Sequence, residues 1–353
     1  MVMIVAPGRQ GDSTVPAEEW SDHAPSGHTI MDLVTFGEAM VRLTPPGFQR
    51  LVQARSFDIH VGGAELNVAV AAAQLGLATR WVSRLPENPL GRMIASHARE
   101  QGVDVSHVAW TAEDRAGLYF AEHGAAPRAG AVLYDRADSA ISHVKPGMID
   151  WGVAFSGATW FHTSGITPAL SDSAAATVDE AMRAAKAAGL TVSYDLNYRA
   201  RLWSPEKARA VQEPLIRLAD VLIAGEGAAE AIFGVAADPA RALQERFGVS
   251  VVALTKREEL RAWFNCVSAI VIADGATHRG QSYEVEVVDR IGAGDAFVAG
   301  LIFGRMRDGD WGAAVRYGTA LCALKHTVPG DFSQATLGDV DQLLGGSNVR
   351  LRR

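Results

Sequence analysis

Apolar residues in this chain come in two rhythms that follow one another. Asp32-Leu-Val-Thr-Phe-Gly37 reads as a buried strand ending on glycine. The alanine-rich stretch 67–75 predicts a helix, 79–84 a second strand, and 90–101 a helix closed by Gly102. The alternation continues with helix 172–188, closed by Gly189, and strand Thr191-Val-Ser-Tyr-Asp195. Further strands are expected at 219–224 and 249–255, with helices between them. Near the C-terminus, Tyr283-Glu-Val-Glu-Val-Val288 alternates polar and β-branched residues, as a half-buried strand does. After it, Phe297, Leu301, Ile302 and Met306 recur at helical spacing along one face. Repeated strand-then-helix units predict an α/β fold with a mainly parallel sheet covered on both faces.

Two stretches break the rhythm. Residues 40–61 and about 107–137 carry short alternating runs, such as 117–122 and 131–134, without helical pattern. They are expected to pair into a small separate sheet that acts as a lid over the carboxyl ends of the main strands, where ligands of open α/β sheets bind. One domain is expected over 31–345. Residues 1–30, rich in Gly, Pro, Ser, Asp and Glu, read as a disordered tail that lacks the basic start and apolar core of a signal peptide. Residues 346–353 read as a C-terminal tail.

Composition narrows the function classes. With 353 residues, 48% hydrophobic and 21% charged, the chain has ample material for one large core. A net charge of −7 argues against nucleic acid or an anionic membrane as the main partner. No apolar run is long enough to span a bilayer. Cys266 and Cys322 each stand alone in an apolar segment, which gives no disulfide framework or metal spacing and fits the reducing cytoplasm.

The chemistry concentrates in Asp289-Arg-Ile-Gly-Ala-Gly-Asp-Ala-Phe297, which joins the predicted strand 283–288 to a helix. Gly292 and Gly294 allow a tight backbone, and the amides of Gly292, Ala293 and Gly294 then face outward at a helix start that favours an anion such as phosphate. A carboxylate at Asp295 would compete with that anion unless it takes a proton from an attacking hydroxyl. The segment reads as a phosphoryl-transfer centre with Asp295 as base. A plainer reading is a capped helix with an acidic first turn. A second motif, Gly62-Gly-Ala-Glu-Leu-Asn67-Val-Ala69, opens the alanine-rich helix.

Together, Gly62-Gly63…Asn67 and Asp289…Gly292-Ala-Gly-Asp295 resemble the two signatures of the ribokinase-like (PfkB-type) carbohydrate kinases, over nearly the whole chain from residue 32 to about 344. Within that family the likeness is strongest to the 2-keto-3-deoxygluconate kinases, through Gly117-Leu-Tyr-Phe120, Tyr134-Asp-Arg136-Ala-Asp-Ser139, Asp195-Leu-Asn-Tyr-Arg199 and Lys325-His-Thr-Val-Pro-Gly-Asp-Phe332. The resemblance implies a three-layer sandwich with a β-sheet lid, ATP and Mg²⁺ as cofactors, and transfer of a phosphoryl group to the 6-hydroxyl of a sugar acid. Gly62, Gly63 and Asn67 would hold sugar hydroxyls. Arg136 and Arg199 would fork onto the carboxylate, with Tyr119, Tyr134 and Asp331 lining the same ligand. Asn197 and Lys256 would meet the nucleotide. Relatives also lead us to expect a homo-oligomer.

The likeness departs at two places. Many family members carry Asn-x-x-Glu where this chain has Gly225-Glu-Gly-Ala-Ala-Glu230, so the metal ligands stay unassigned. Thr255-Lys-Arg-Glu258 is a loose match to a glycine-bearing nucleotide loop. Arg136 and Arg199 also read as surface ion-pair residues, Tyr119 and Tyr134 as packing residues, Asp331 as a turn aspartate, and Asp289 as a brace for the glycine turn. Rival functions are a fructokinase, a ribokinase, a 2-keto-3-deoxygalactonate kinase, or a sugar-acid sensor without turnover.

Overall fold

The computed structural model describes residues 31–261 and 263–346, so both expected tails lie outside the described residues apart from Gly346. The first half of the chain forms β1 (Leu33–Phe36), β2 (Met40–Thr44), β3 (Asp58–Gly62), α1 (Ala64–Gln74), β4 (Thr79–Pro86), α2 (Pro89–Glu100), β5 (Val108–Thr111), β6 (Gly117–Glu122) and β7 (Ala131–Asp135). Next come α3 (Trp151–Ala154), β8 (Trp160–Ser164), α4 (Asp172–Ala187), β9 (Thr191–Asp195), α5 (Pro205–Ile216), β10 (Val221–Gly225), α6 (Glu226–Phe233) and α7 (Pro239–Phe247). The last part is β11 (Val251–Arg261), β12 (Phe264–Ala273), β13 (Ala276–Arg279), β14 (Tyr283–Glu286), α8 (Ala293–Asp308), α9 (Trp311–Lys325) and α10 (Leu337–Leu344).

The large sheet runs β13-β12-β11-β10-β9-β8-β1-β4-β5, with β14 pairing β12. From β11 to β5 neighbouring strands are parallel, and the β12 side is antiparallel. Strand alternation feeds two cores. Val34, Phe161, Leu222 and Val252 point to one, packed with α4 to α7. Leu33, Trp160, Val221 and Val251 point to the other, packed with α8 to α10. This is the ribokinase-like α/β sandwich expected. A separate four-stranded sheet has the order β3-β2-β6-β7. The second stretch expected to join it, about 107–137, contributes only from Gly117 onward, because β5 (Val108–Thr111) pairs in parallel with β4 in the large sheet.

Two element boundaries also move. The first helix starts at Ala64, not 67, because Gly63 is its N-cap and the apolar Leu66 already belongs to the buried face. The strand expected to stop at 255 continues to Arg261, because it forms a long antiparallel hairpin with β12 and has no glycine to turn on. Among the described residues no helix is long and apolar enough to cross a membrane.

Burial places one unusual charge under α1. Glu65 is fully buried, and its carboxyl accepts from the Ser164 amide at 3.0 Å and the Ser164 hydroxyl at 2.7 Å. Burial pushes its pKa up to about 8, from an ordinary value of 4.5. In that window the folded chain holds a proton that the unfolded chain has lost. Its contribution to stability is therefore complete below about 4.5 and disappears as pH rises through about 8. The melting temperature of Glu65→Gln, whose amide keeps the acceptor and never ionises, is expected to fall clearly less than the parent's between about pH 6 and about pH 9, the remaining fall coming from groups such as Asp195. The parent's melting temperature should fall by several degrees over the same range.

Candidate active site

A cavity of about 550 Å³ opens at the carboxyl ends of β1, β9, β10 and β11, between the large sheet and the inner face of the small one. Gly62, Gly63, Asn67, Tyr119, Tyr134, Arg136, Asn197, Arg199, Gly292, Gly294, Asp295 and Asp331 all line it. Residues separated by more than two hundred positions are thus brought to one chamber.

The centre of the site is the start of α8. Gly292 caps it with φ +84°, a left-handed conformation that glycine adopts without a Cβ clash. A Cβ there would collide with the carbonyl oxygen of Asp331, so the backbone can run this close only with glycine. The first amide paired along the helix is that of Ala296, with the Gly292 carbonyl at 2.8 Å. The amides ahead of it are the helix's orphan donors, facing the cavity with the positive end of the helix dipole. Space around Gly294 is open, so an anion can approach. Ala293 is set apart from its neighbours: it is buried, it does not line the cavity, and its amide donates to the Arg290 carbonyl at 3.3 Å.

Asp295 stands in the first turn of this helix. Asn67, on the first turn of α1, donates through Nδ2 to its carboxylate at 2.7 Å, and Asn67 Oδ1 accepts from the Gly63 amide at 3.3 Å. The glycine pair, the asparagine and the acid therefore form one chain of contacts between the two helix starts. Burial pushes Asp295 up to about 6, while the Asn67 amide and the Arg199 charge pull the other way. Asp195, at the end of β9, is pushed up to about 7 by burial and by the Asp295 charge. An acid that serves as base must be ionised, so if Asp295 takes the role expected from the sequence, activity should rise with pH along an acid limb with an apparent pKa between about 6 and about 7 that belongs to the pair. Asn67→Ala removes a contact that favours the ionised acid, and the limb of kcat against pH should move upward.

Several side chains are held in ways the sequence does not show. Arg136, expected to fork onto a ligand carboxylate, is ion-paired with Glu38, which also accepts from Ser139, and its guanidinium lies 5.4 Å from the Tyr134 ring centre. Asp331 is buried, accepts from the Tyr119 hydroxyl and pairs with Arg42 at 3.0 Å. It is a structural hub as well as a cavity residue, because a Cβ at Gly62 would meet its carboxylate. Asn197 adopts φ +39°, and its amide donates to Asp195 at 3.0 Å. Arg199 is exposed and donates to the Asn197 and Tyr198 carbonyls at 3.3 and 3.2 Å.

Lys256 does not line the cavity. Its ammonium pairs with Glu258 at 2.7 Å, and alternation along β11 turns Thr255 and Arg257 toward the chamber instead. Arg257 and Arg290 stand at the rim, both near Glu259. Glu226 and Glu230 are not among the lining residues, whereas Gly225 and Ala228 are. Among the described residues no three His, Cys, Asp or Glu side chains cluster as metal ligands. Sequence reasoning missed Glu38, Arg42, Asp195, Arg257 and Arg290. For Arg42 a signal existed: one cation in an otherwise apolar alternating strand, Met40-Val-Arg-Leu-Thr44.

The chain is similar in sequence and fold to known proteins. Residues 27–335 match the sequence model described as pfkB family carbohydrate kinase. The chain is 39% identical over 325 residues, 91% of its length and 99% of the relative's, to 2-dehydro-3-deoxygalactonokinase of Haloferax volcanii. It is 33% identical to 2-dehydro-3-deoxygluconokinase of Thermoproteus tenax, covering 84% of this chain and 85% of that one. The crystal structure of 2-dehydro-3-deoxygluconokinase from Thermotoga maritima superposes with a TM-score of 0.87 at 41% identity, covering 90% of this chain and 99% of that one.

Proposed function

Because this chain belongs to the pfkB family carbohydrate kinases, we propose that it transfers the γ-phosphoryl group of ATP to the 6-hydroxyl of 2-keto-3-deoxygluconate. The products are 2-keto-3-deoxy-6-phosphogluconate and ADP. The observation that carries this reading is one cavity holding an acid of raised pKa, a glycine-capped helix start and an arginine, Arg199, whose guanidinium donates to backbone carbonyls and forms no ion pair among the described residues. Asp295 accepts the hydroxyl proton as the oxygen attacks phosphorus, and the bond to the β-phosphate breaks as ADP leaves. The amides of Gly292 and Gly294 face the charge on the moving group. Arg257 and Arg290 are placed to neutralise the nucleotide phosphates. Mg²⁺ would supply further neutralisation of the phosphates when bound.

A carboxylate on the substrate fits the two arginines differently. Arg136 already shares its charge with Glu38, so it offers donors without a net cation. Arg199 hydrogen-bonds to carbonyls and forms no ion pair among the described residues, so it supplies the net positive charge, which also acts on Asp295 and Asp195. Arg199→Ala should therefore raise KM for the sugar acid about 10-fold to about 100-fold, with a much smaller change in kcat. A neutral sugar, if accepted, should show no such rise.

The 4-epimer, 2-keto-3-deoxygalactonate, is a second reading, favoured by the relative named 2-dehydro-3-deoxygalactonokinase that matches over 99% of its own length. A coupled ADP-release assay across both keto-deoxy acids, fructose and ribose decides between them. The proposal expects one or both acids to exceed the neutral sugars by about 10²-fold or more in kcat/KM. A preference for fructose or ribose would refute it. The reaction is expected in the cytoplasm. A homo-oligomer is expected as well, since Ile59 and Leu133 stand exposed on the outer face of the small sheet.

A further inference from the structure

Arg42 is the deepest charge in the small sheet: its side chain has no exposed surface, yet it belongs to β2, in the sheet that roofs the cavity. Its guanidinium reaches out of that sheet in two directions. One nitrogen pairs with Asp289 at 2.7 Å and another with Asp331 at 3.0 Å, while Nε donates to Thr44 at 2.8 Å. Burial alone would weaken the cation, but the Asp331 and Asp289 carboxylates outweigh it and hold its pKa above the ordinary value.

Both carboxylates belong to the loops that shape the phosphate turn. Asp289 accepts from the Ile291 amide at 3.0 Å and from the Gly330 amide at 3.1 Å. Beneath them Lys325, also fully buried, donates to the Asp289 and Val328 carbonyls at 3.3 and 3.2 Å. Asp331 then presses its carbonyl against Gly292, which caps the helix carrying Asp295. On the roof side, Arg42 pairs in register with Tyr119, and Tyr119 with Tyr134, so all three share the inner face. Tyr119 donates to Asp331 as well. A contiguous set of ion pairs and hydrogen bonds thus runs from the wall of the sugar chamber to the turn that presents the amides.

We infer that Arg42 is a positioning residue that couples occupancy of the sugar chamber to the shape of the Gly292–Asp295 phosphate turn. It touches neither reactant. Sugar bound against Tyr119 and Tyr134 fixes the roof, the roof fixes Arg42, and Arg42 fixes the two loops through Asp289 and Asp331. Binding of sugar and nucleotide is then synergistic, and by linkage each ligand tightens the other by the same factor. This inference rests on the kinase reading above.

The test is calorimetric titration of the sugar substrate with and without the non-hydrolysable analogue AMP-PNP and Mg²⁺, on the full chain and on Arg42→Met. The parent should show tightening of about 5-fold or more. In Arg42→Met the factor should fall to about 2-fold or less. A folded Arg42→Met with the parent's synergy, or a parent with none, overturns the inference. Should Arg42→Met fail to fold, Arg42→Lys is read the same way, since a point charge cannot fork across two carboxylates. Unchanged synergy in folded Arg42→Lys overturns it too. The titration uses whichever sugar the ADP assay shows to be turned over, so a wrong substrate assignment and a wrong role for Arg42 give different results.

Discussion

Asp295→Asn is expected to lower kcat by about 10²-fold to about 10⁴-fold while KM for the sugar changes little. Asparagine has the same shape, and its side-chain oxygen can still accept from the Asn67 amide that now donates to Asp295 at 2.7 Å. The turn, the helix start and the chamber should therefore survive. What disappears is the only step assigned to that side chain, acceptance of the hydroxyl proton. The raised pKa of about 6 matters here, because it makes the acid a stronger base than an exposed aspartate and leaves it ionised at neutral pH. Steady-state kinetics with a far-ultraviolet melt of the same preparation reads both halves. A variant that keeps more than about a tenth of the parent's kcat would remove Asp295 from the chemistry.

Gly292→Ala should be strongly damaging for a single added methyl. The residue sits at φ +84°, where a non-glycine residue is strained by about 1 kcal/mol or more. A methyl there also meets the Asp331 carbonyl, a backbone atom tied through the same residue's side chain to Arg42 and Tyr119. Relief requires the turn to open, which spreads the amides and rotates Asp295. Activity should drop at least about 10²-fold, and the melting temperature should fall as well. Gly294→Ala supplies the contrast, since a Cβ there meets nothing within 4 Å. It should melt like the parent, with any loss confined to nucleotide binding. Equal melting temperatures for Gly292→Ala and the parent would contradict the packing argument.

How much of this was legible in the sequence follows from the range of each interaction. The strand-then-helix rhythm and the two interrupting stretches depend on local periodicity, and the α/β sandwich with its small sheet followed from them. The pairing order of the strands did not, because parallel neighbours such as β1 and β8 are brought together only by the crossovers. Gly292 to Asp295 was readable because a glycine turn, a carboxylate and a helix start lie within four consecutive residues. The contact of Asn67 with Asp295 spans 228 positions and appears only in three dimensions. Arg136 was legible as a cation, but its partner Glu38, 98 residues away, was not. Lys256 stands just past 255, where the strand was expected to end. Once β11 continues, alternation sends the neighbouring side chain into the chamber. Arg42 was overlooked because an isolated arginine in a strand usually reaches solvent, and here two distant aspartates enclose it.

A crystal structure of the enzyme with its sugar substrate, AMP-PNP and Mg²⁺ tests the central claim most directly. The account predicts the acceptor hydroxyl oxygen about 2.6–3.2 Å from an Asp295 carboxylate oxygen, with the terminal phosphate against the Gly292 and Gly294 amides. An acceptor oxygen well outside that distance with no bridging water, or a terminal phosphate bound away from this turn, would contradict it.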